Sequence, residues 1–459
     1  MTLEDIKSVY FVGAGGIGMS ALIRFFLSKQ KAVAGYDRTP SELTARLIEE
    51  GAEIHYEVDA ALIPDYCRDP QTTLVVYTAA IPLSHKELTY FLQHGFEIQK
   101  RAQVLGTVTQ GTKCLAVAGT HGKTTTSTMA AHILYQSALG CTAFLGGISK
   151  NYETNLLLSS DCPFTVVEAD EFDRSFHWLR PYMTVVTATD PDHLDVYGTK
   201  EAYLESFRKY SSLIVPGGFL VIHTGLKMQA DVQDGVTTYT YSREAGDFHA
   251  EHVCVGDGRI TFDLVSPLGD IAGVELGVPV LVTIENGIAA MALAQIAGLS
   301  AEEIRRGMLS FRGVERRFDF RIRTDRMVYL SDYAHHPEEI RHSLESISEL
   351  YKGRRIKVIF QPHLYSRTRD FYREFASALS LVDDVCLLDI YPAREEPIPG
   401  VTSALIYDNL RPGIRRQMCH KEEVPDVVRR GGYDVLVTLG AGDLEDYAKE
   451  ITDILRPLS

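Results

Sequence analysis

Several groups of residues in this 459-residue chain are suited to phosphate and carboxylate chemistry. The run Gly119-Thr120-His121-Gly122-Lys123-Thr124-Thr125 follows the apolar stretch 113–118 and opens a helical pattern with Met129, Ile133 and Leu134 on one face. Glycines at a strand-to-helix corner aim backbone N–H groups at phosphate oxygens, and the helix N-terminus adds positive partial charge. The loop predicts that Lys123 reaches the terminal phosphates of a nucleotide and that the Thr124 hydroxyl helps hold Mg²⁺. The complete pattern G-x-x-x-x-G-K-[ST] would put its first glycine at Val117, so Gly119 must make the turn here.

Acidic groups gather where later strands should end. Glu168, Asp170, Glu171 and Asp173 follow the apolar run 164–169, and Asp190, Asp192, His193 and Asp195 follow 183–188. Carboxylates and a histidine beside a phosphate loop complete a metal shell around a nucleotide. Asp192 and Asp195 serve equally well as helix caps or as partners orienting His193. A second glycine turn, GAGGIG at 13–18, sits between the apolar run 8–12 and a helical pattern, with Asp37 closing the next strand. That spacing matches a dinucleotide fingerprint and predicts a diphosphate at a helix N-terminus, with Asp37 at a ribose or base. Further on, His335, His336, His363 and Arg367 are expected at one sheet edge, after a stretch 311–326 holding six arginines. One or two of those arginines would meet a triphosphate, and the rest would face solvent.

Short apolar runs alternate with helical patterns through most of the chain, which predicts doubly wound α/β units with ligands at the carboxyl ends of strands. The expected domains are 1–105, 106–313 and 314–459. The polar, alternating segment 230–275 reads as peripheral hairpins. Helices are expected over 286–298 and 300–309, the second opened by a Ser300/Glu303 capping box.

Composition narrows the class. The chain is 45% hydrophobic and 23% charged, as soluble globular chains are. A net charge of −15 argues against a nucleic-acid partner. Seven scattered cysteines without a C-x-x-C pair fit a reducing cytoplasm, neither a disulfide framework nor a zinc site. No signal peptide and no run near the ~18–20 apolar residues of a membrane span is visible. The expected location is cytoplasmic, with no membrane partner.

Nine stretches together carry a family resemblance: GAGGIGMS (13–20), AGTHGKTTT (118–126), EADEFDRSF (168–176), DHLDVY (192–197), GVERRFDF (313–320), DYAHHP (332–337), FQPHLYSRTRDF (360–371), YPAREEPIPG (391–400) and LGAGD (439–443). In this order they resemble the Mur ligases over essentially the full length, and within them the members that add L-alanine to UDP-N-acetylmuramate. The resemblance implies three domains: a Rossmann-like N-terminal one for the UDP-sugar, a central P-loop ATPase with a mostly parallel sheet, and a Rossmann-like C-terminal one that closes over both. It implies an acyl-phosphate route driven by ATP, with Mg²⁺ (Mn²⁺ as a substitute ion).

Carried over by position, the UDP-sugar would meet Gly15, Gly16, Ile17, Gly18, Met19, Ser20, Asp37, Ala79 and Arg101. ATP would meet residues 119–125, Asn286 and Arg317, and the metal Thr124, Glu168 and His193. Lys123, His335, His336, His363 and Arg367 would be catalytic, with Arg367 on the amino-acid carboxylate. The chain departs from the family in three places. Val282 and Thr283 replace a His-Asn pair ahead of Asn286, Leu364 replaces an arginine, and no counterpart of a carbamylated lysine appears near Phe207-Arg208. A sister ligase adding a murein tripeptide and an NAD-dependent dehydrogenase are the alternatives.

Overall fold

The computed structural model describes residues 2–192, 194–256, 259–393 and 395–458. Packing divides the chain into two units, residues 1–252, 262–275 and 285–311 in one and 253–261, 276–284 and 312–459 in the other. Among the described residues no helix is long and apolar enough to cross a membrane.

The first unit holds two parallel-type sheets. Five strands run in the order Glu53–His55, Ala32–Tyr36, Ser8–Val12, Thr73–Tyr77 and Glu97–Lys100, all parallel. Seven run in the order Thr237–Tyr241, Phe219–His223, Pro181–Val186, Lys113–Ala118, Phe164–Ala169, Thr142–Ser149 and Thr154–Leu157. Only the last pair is antiparallel. The central strand Lys113–Ala118 is buried on both faces from Cys114 onward, which is why it reads as a continuous apolar run and not as an alternating one.

The two sheets are locked together through the helix Ile17–Ser28. Phe25 packs on Phe144 at 5.6 Å between ring centroids. Asn155, fully buried, donates to the Ile17 carbonyl at 2.6 Å and to Ser20 Oγ at 2.9 Å. Its own carbonyl accepts from Arg24 at 2.5 Å. A buried amide with its polar atoms satisfied sets one docking geometry, because any slip would orphan them.

In the second unit six strands run Asp319–Arg323, Val328–Asp332, Val435–Leu439, Ile356–Phe360, Asp384–Leu387 and Arg415–Met418, with only the first pair antiparallel. Val328, Val358, Val435 and Leu439 anchor its core against Leu344, Phe375 and Leu379 of the flanking helices.

Two expectations differ from the structure. Within 230–275, Thr237–Tyr241 joins the central sheet in parallel beside Phe219–His223, while His249–Gly256, Arg259–Val265 and Ile271–Glu275 form the three-stranded sheet. An edge strand with one wet face alternates just as a hairpin strand does, so periodicity does not separate them. The helix expected from 286 spans Leu281–Ile296, because the β-branched run Val282, Thr283 and Ile284 masks its first turn. The Ser300/Glu303 capping box is present as expected, with both reciprocal bonds.

Candidate active site

The phosphate loop is built by close approach of backbones. Gly119 sits at φ +134°, and a Cβ there would lie 2.1 Å from Thr187 Oγ1. Gly122 caps the helix Lys123–Tyr135 in the left-handed region at φ +79°, and a Cβ there would meet Asn286 Oδ1 at 2.7 Å. Both positions therefore exclude side chains. The loop is pinned from the neighbouring strand end: Thr120 N–H donates to the Ala188 carbonyl at 3.0 Å, and Thr187 Oγ1 donates to the His121 carbonyl. Thr120 Oγ1 donates to the Asp190 carbonyl at 2.8 Å and lies 2.8 Å from Tyr203 OH. The His121 imidazole stands 3.8 Å from the Asp190 carboxylate. Asn286, in the second turn of its helix, accepts from Thr126 Oγ1 at 3.2 Å, behind the loop. Thr125 is partly exposed in the first helical turn, beside buried Thr124.

Lys123 is held by an acid that the sequence reading did not single out. Its Nζ donates to the Gly119 carbonyl at 2.6 Å and to both carboxylate oxygens of Glu171 at 2.8 and 3.0 Å. Glu171 is buried, and Tyr197 OH donates to its carbonyl. Burial opposes the charge on Lys123, but Glu171, Asp170 and Glu168 outweigh it and hold the ammonium above its ordinary pKa.

Thr124 Oγ1 donates to Glu168 Oε2 at 2.8 Å. Gly146 makes room for that carboxylate, since a Cβ there would lie 1.9 Å from Glu168 Oε2. A hydroxyl and a carboxylate are hard oxygen donors of the kind Mg²⁺ takes. Among the described residues no three His, Cys, Asp or Glu side chains gather into a metal cluster. His193, the third expected ligand, lies outside the described residues.

Glu168 also lines a cleft of about 270 Å³ shared with the five-stranded sheet, where Ile17, Gly18, Ala79, Lys100 and Arg101 face it. Arg101 lies against Gly18, where a Cβ would be 3.0 Å from its Nη1, and stands 3.6 Å from Asp170. Lys100 pairs with Asp173 at 2.6 Å across the same cleft. Asp37 accepts from Gly15 N–H at 2.6 Å and so braces the glycine turn that Gly16 leads into the helix. The side chains of Met19 and Ser20 are buried in the packing instead of facing the cleft; Ser20 Oγ bonds the Ile17 carbonyl at 2.8 Å.

The second unit gathers the expected imidazoles. His335 and His363 are 5.8 Å apart between ring centroids, and His363 stacks on Tyr391 at 5.8 Å. His335 Nδ1 lies 3.0 Å from the Tyr333 carbonyl, and a carbonyl only accepts, so Nδ1 carries the proton and Nε2 the lone pair. Arg367 Nη1, only a donor, lies 3.4 Å from His363 Nδ1, which fixes the opposite tautomer there. Burial pushes the His335 pKa below its ordinary value in spite of Glu339. Glu339 Oε2 accepts the backbone N–H of both His335 and His336 at 3.0 and 3.2 Å. The ring of His336 packs on Phe371, 5.3 Å away. Arg317 and Arg316 flank the Tyr333 ring at 5.0 and 4.7 Å. Leu364 is buried at φ +72°, a strained backbone held between His363 and the helix Tyr365–Leu379.

Comparison with known proteins identifies the family. Family models described as "Mur ligase family, catalytic domain", "Mur ligase middle domain" and "Mur ligase, glutamate ligase domain" match residues 8–113, 117–294 and 316–442. The chain belongs to the Mur ligase family. A UDP-N-acetylmuramate–L-alanine ligase of Phocaeicola vulgatus is 66% identical over 455 residues, 99% of each chain. One from Porphyromonas gingivalis is 49% identical over 456 residues, 99% of this chain and all of that one (100%). The crystal structure of the Thermotoga maritima UDP-N-acetylmuramate–alanine ligase matches with a TM-score of 0.84 at 26% identity, covering 98% of this chain and 100% of the other. A murein peptide ligase from Psychrobacter arcticus shares the fold, with a TM-score of 0.67 at 20% identity and 98% of each chain covered. In a Mur ligase the glycine turn at 13–18 is no longer a sign of NAD, and the dehydrogenase alternative falls.

Lys100, Glu339 and Tyr391 at this Mur ligase site were not expected from sequence, and Glu171 was expected only as one of four acids beside the loop, not as the partner of Lys123. Glu171 and Glu339 had a legible signal, an acid three or four residues from another candidate. Tyr391 had none, because its contact with His363 joins two segments far apart in the chain through an isolated bridge.

Proposed function

We propose that this Mur ligase joins L-alanine to the lactyl carboxylate of UDP-N-acetylmuramate, splitting ATP to ADP and phosphate through an acyl phosphate. The observation that carries the reading is the double position of Glu168. It bonds Thr124 at the head of the phosphate loop and lines the cleft that also holds Gly18 and Arg101. A sugar nucleotide lying on the glycine turn would thereby present its carboxylate beside the terminal phosphate of ATP.

A carboxylate is a poor acylating agent, so phosphorylation supplies the leaving group. Lys123 exchanges Glu171 for the transferring phosphoryl oxygens and neutralises their charge, while the loop N–H groups hold the phosphates. Thr124 and Glu168, with His193 as the expected third ligand, would hold Mg²⁺, which supplies charge neutralisation at the phosphates when bound. Arg101 and Lys100 meet the diphosphate of the sugar nucleotide. Arg367 pairs with the alanine carboxylate, and Arg317 approaches the triphosphate. His335 takes the amine proton at Nε2, which its neutral tautomer leaves open. The amine then attacks the acyl carbonyl and phosphate leaves. The cytoplasm, where ATP is found, is the proposed location.

The test is phosphate release that requires both UDP-N-acetylmuramate and L-alanine. Lys123→Ala is expected to lower it by at least about 10²-fold, the scale of losing a charge-stabilising donor. Acceptor-dependent release surviving in that variant would overturn the loop assignment.

A further inference from the structure

Cys386 and Cys419 play no part in the chemistry above, yet their sulfurs lie 3.3 Å apart. Cys386 is on the strand Asp384–Leu387, and Cys419 follows the strand Arg415–Met418 beside it. In the parallel register Cys386 faces Gln417, so Cys419, two residues on, points to the same side of the sheet. The Cys419 N–H donates to the Leu387 carbonyl at 3.1 Å, which keeps the two backbones paired beyond the strand end. Cys386 is fully buried, and Cys419 is half-exposed. Closing the remaining gap to an S–S bond of about 2 Å takes side-chain rotation on strands that are already adjacent.

We propose that Cys386 and Cys419 form a reversible, peroxide-driven disulfide that acts on the amino-acid side of the site. The second half of this proposal rests on the ligase reading above. The path is a short chain of bonds: Leu388 N–H donates to the Phe360 carbonyl at 2.9 Å, Tyr391 N–H to the Pro362 carbonyl at 2.8 Å, and Leu364 N–H to the Tyr391 carbonyl at 2.9 Å. The residues 388–391 thus tie the dithiol to His363 and to the strained Leu364.

The chemistry balances with a hydroperoxide as oxidant. The dithiol loses one proton and shares the other between its sulfurs; donation from the Cys419 thiol holds Cys386 below its ordinary pKa. As the proton they share passes to Cys386, the solvent-facing sulfur of Cys419 attacks a peroxide oxygen as the thiolate and the O–O bond breaks. The leaving hydroxide takes up a proton as water, and a sulfenic acid remains. The Cys386 sulfur then attacks that sulfur and displaces a second water. Two thiols lose two electrons, and hydrogen peroxide becomes two waters.

The full chain is treated with hydrogen peroxide, alkylated and mapped by mass spectrometry, then assayed before and after dithiothreitol. The expected result is a loss of about 2 Da in one peptide pair joining Cys386 to Cys419. With it, the KM for alanine should rise at least about threefold while that for ATP changes less than about twofold. Dithiothreitol should reverse both, and Cys419→Ser should show neither. Free, alkylated Cys386 and Cys419 after treatment, or Cys419 oxidised to sulfinic acid without a link, would overturn the proposal. So would a link that leaves the alanine KM unchanged. Absence of acceptor-dependent phosphate release from the reduced chain would instead count against the ligase reading, because the mapping does not depend on it.

Discussion

Glu171→Gln probes how the reactive lysine is stored. In the structure the Lys123 ammonium is shared between the Gly119 carbonyl at 2.6 Å and the Glu171 carboxylate at 2.8 Å, with only 13% of the lysine side chain and 2% of the glutamate exposed. Deleting one partner of a buried pair costs about 3–5 kcal/mol. The amide oxygen still accepts from Lys123 and the loop carbonyl remains, so the loss should fall to that of a charged hydrogen bond, about 1.5–3 kcal/mol. For a unit of this size 1 kcal/mol moves Tm by about 2–4 °C, which puts the expected drop at about 3–12 °C. Thermal melts of the wild type and the variant should show this drop without nucleotide. With saturating ATP and Mg²⁺ the phosphates replace the missing charge, and the gap should close to less than about 2 °C. An unchanged melt without nucleotide would refute the buried pair. An equal drop in both conditions would refute the transfer of Lys123 to phosphate.

Three further outcomes follow from the geometry. Gly146→Ala puts a methyl 1.9 Å from Glu168 Oε2 and should push the carboxylate off Thr124, cutting turnover by about 10²-fold while circular dichroism stays native. Arg367→Ala should raise the alanine KM by about 10–100-fold, the scale of one charged hydrogen bond, and leave the ATP KM nearly unchanged in steady-state kinetics. His132 is buried between Tyr152 OH at 2.8 Å and Ser310 Oγ at 2.9 Å, and burial pushes its pKa down to about 4 from 6.5. Because the unfolded chain then binds the extra proton, stability should fall as pH drops from 6.5 toward 4, by up to roughly 3 kcal/mol. Denaturant melts across that window should show a shallower slope for His132→Gln.

The strands that carry the site were legible from their ends. The runs Ser8–Val12, Lys113–Ala118 and Phe164–Ala169 have in the structure the bounds that the sequence predicts. Each is a short apolar stretch stopped by glycine or acid, and buried parallel strands look like that from sequence. What stayed hidden depends on contacts between distant positions. Glu171 looked like one acid among four, and only the fold shows that its carboxylate, not that of Asp170 or Asp173, turns inward to Lys123. Met19 and Ser20 matched a motif by position, while the helix rotates them into the core against Asn155. Asn155 itself carries no local pattern, since a buried amide is recognisable only by its partners.

The central claim is tested by mass spectrometry of the product formed from ATP, UDP-N-acetylmuramate and a mixture of L-alanine, glycine, L-serine and the murein tripeptide. The account predicts a nucleotide product carrying one alanyl residue in amide linkage, formed together with ADP and phosphate. A product carrying the tripeptide, or ATP hydrolysis without any amide product, would contradict it.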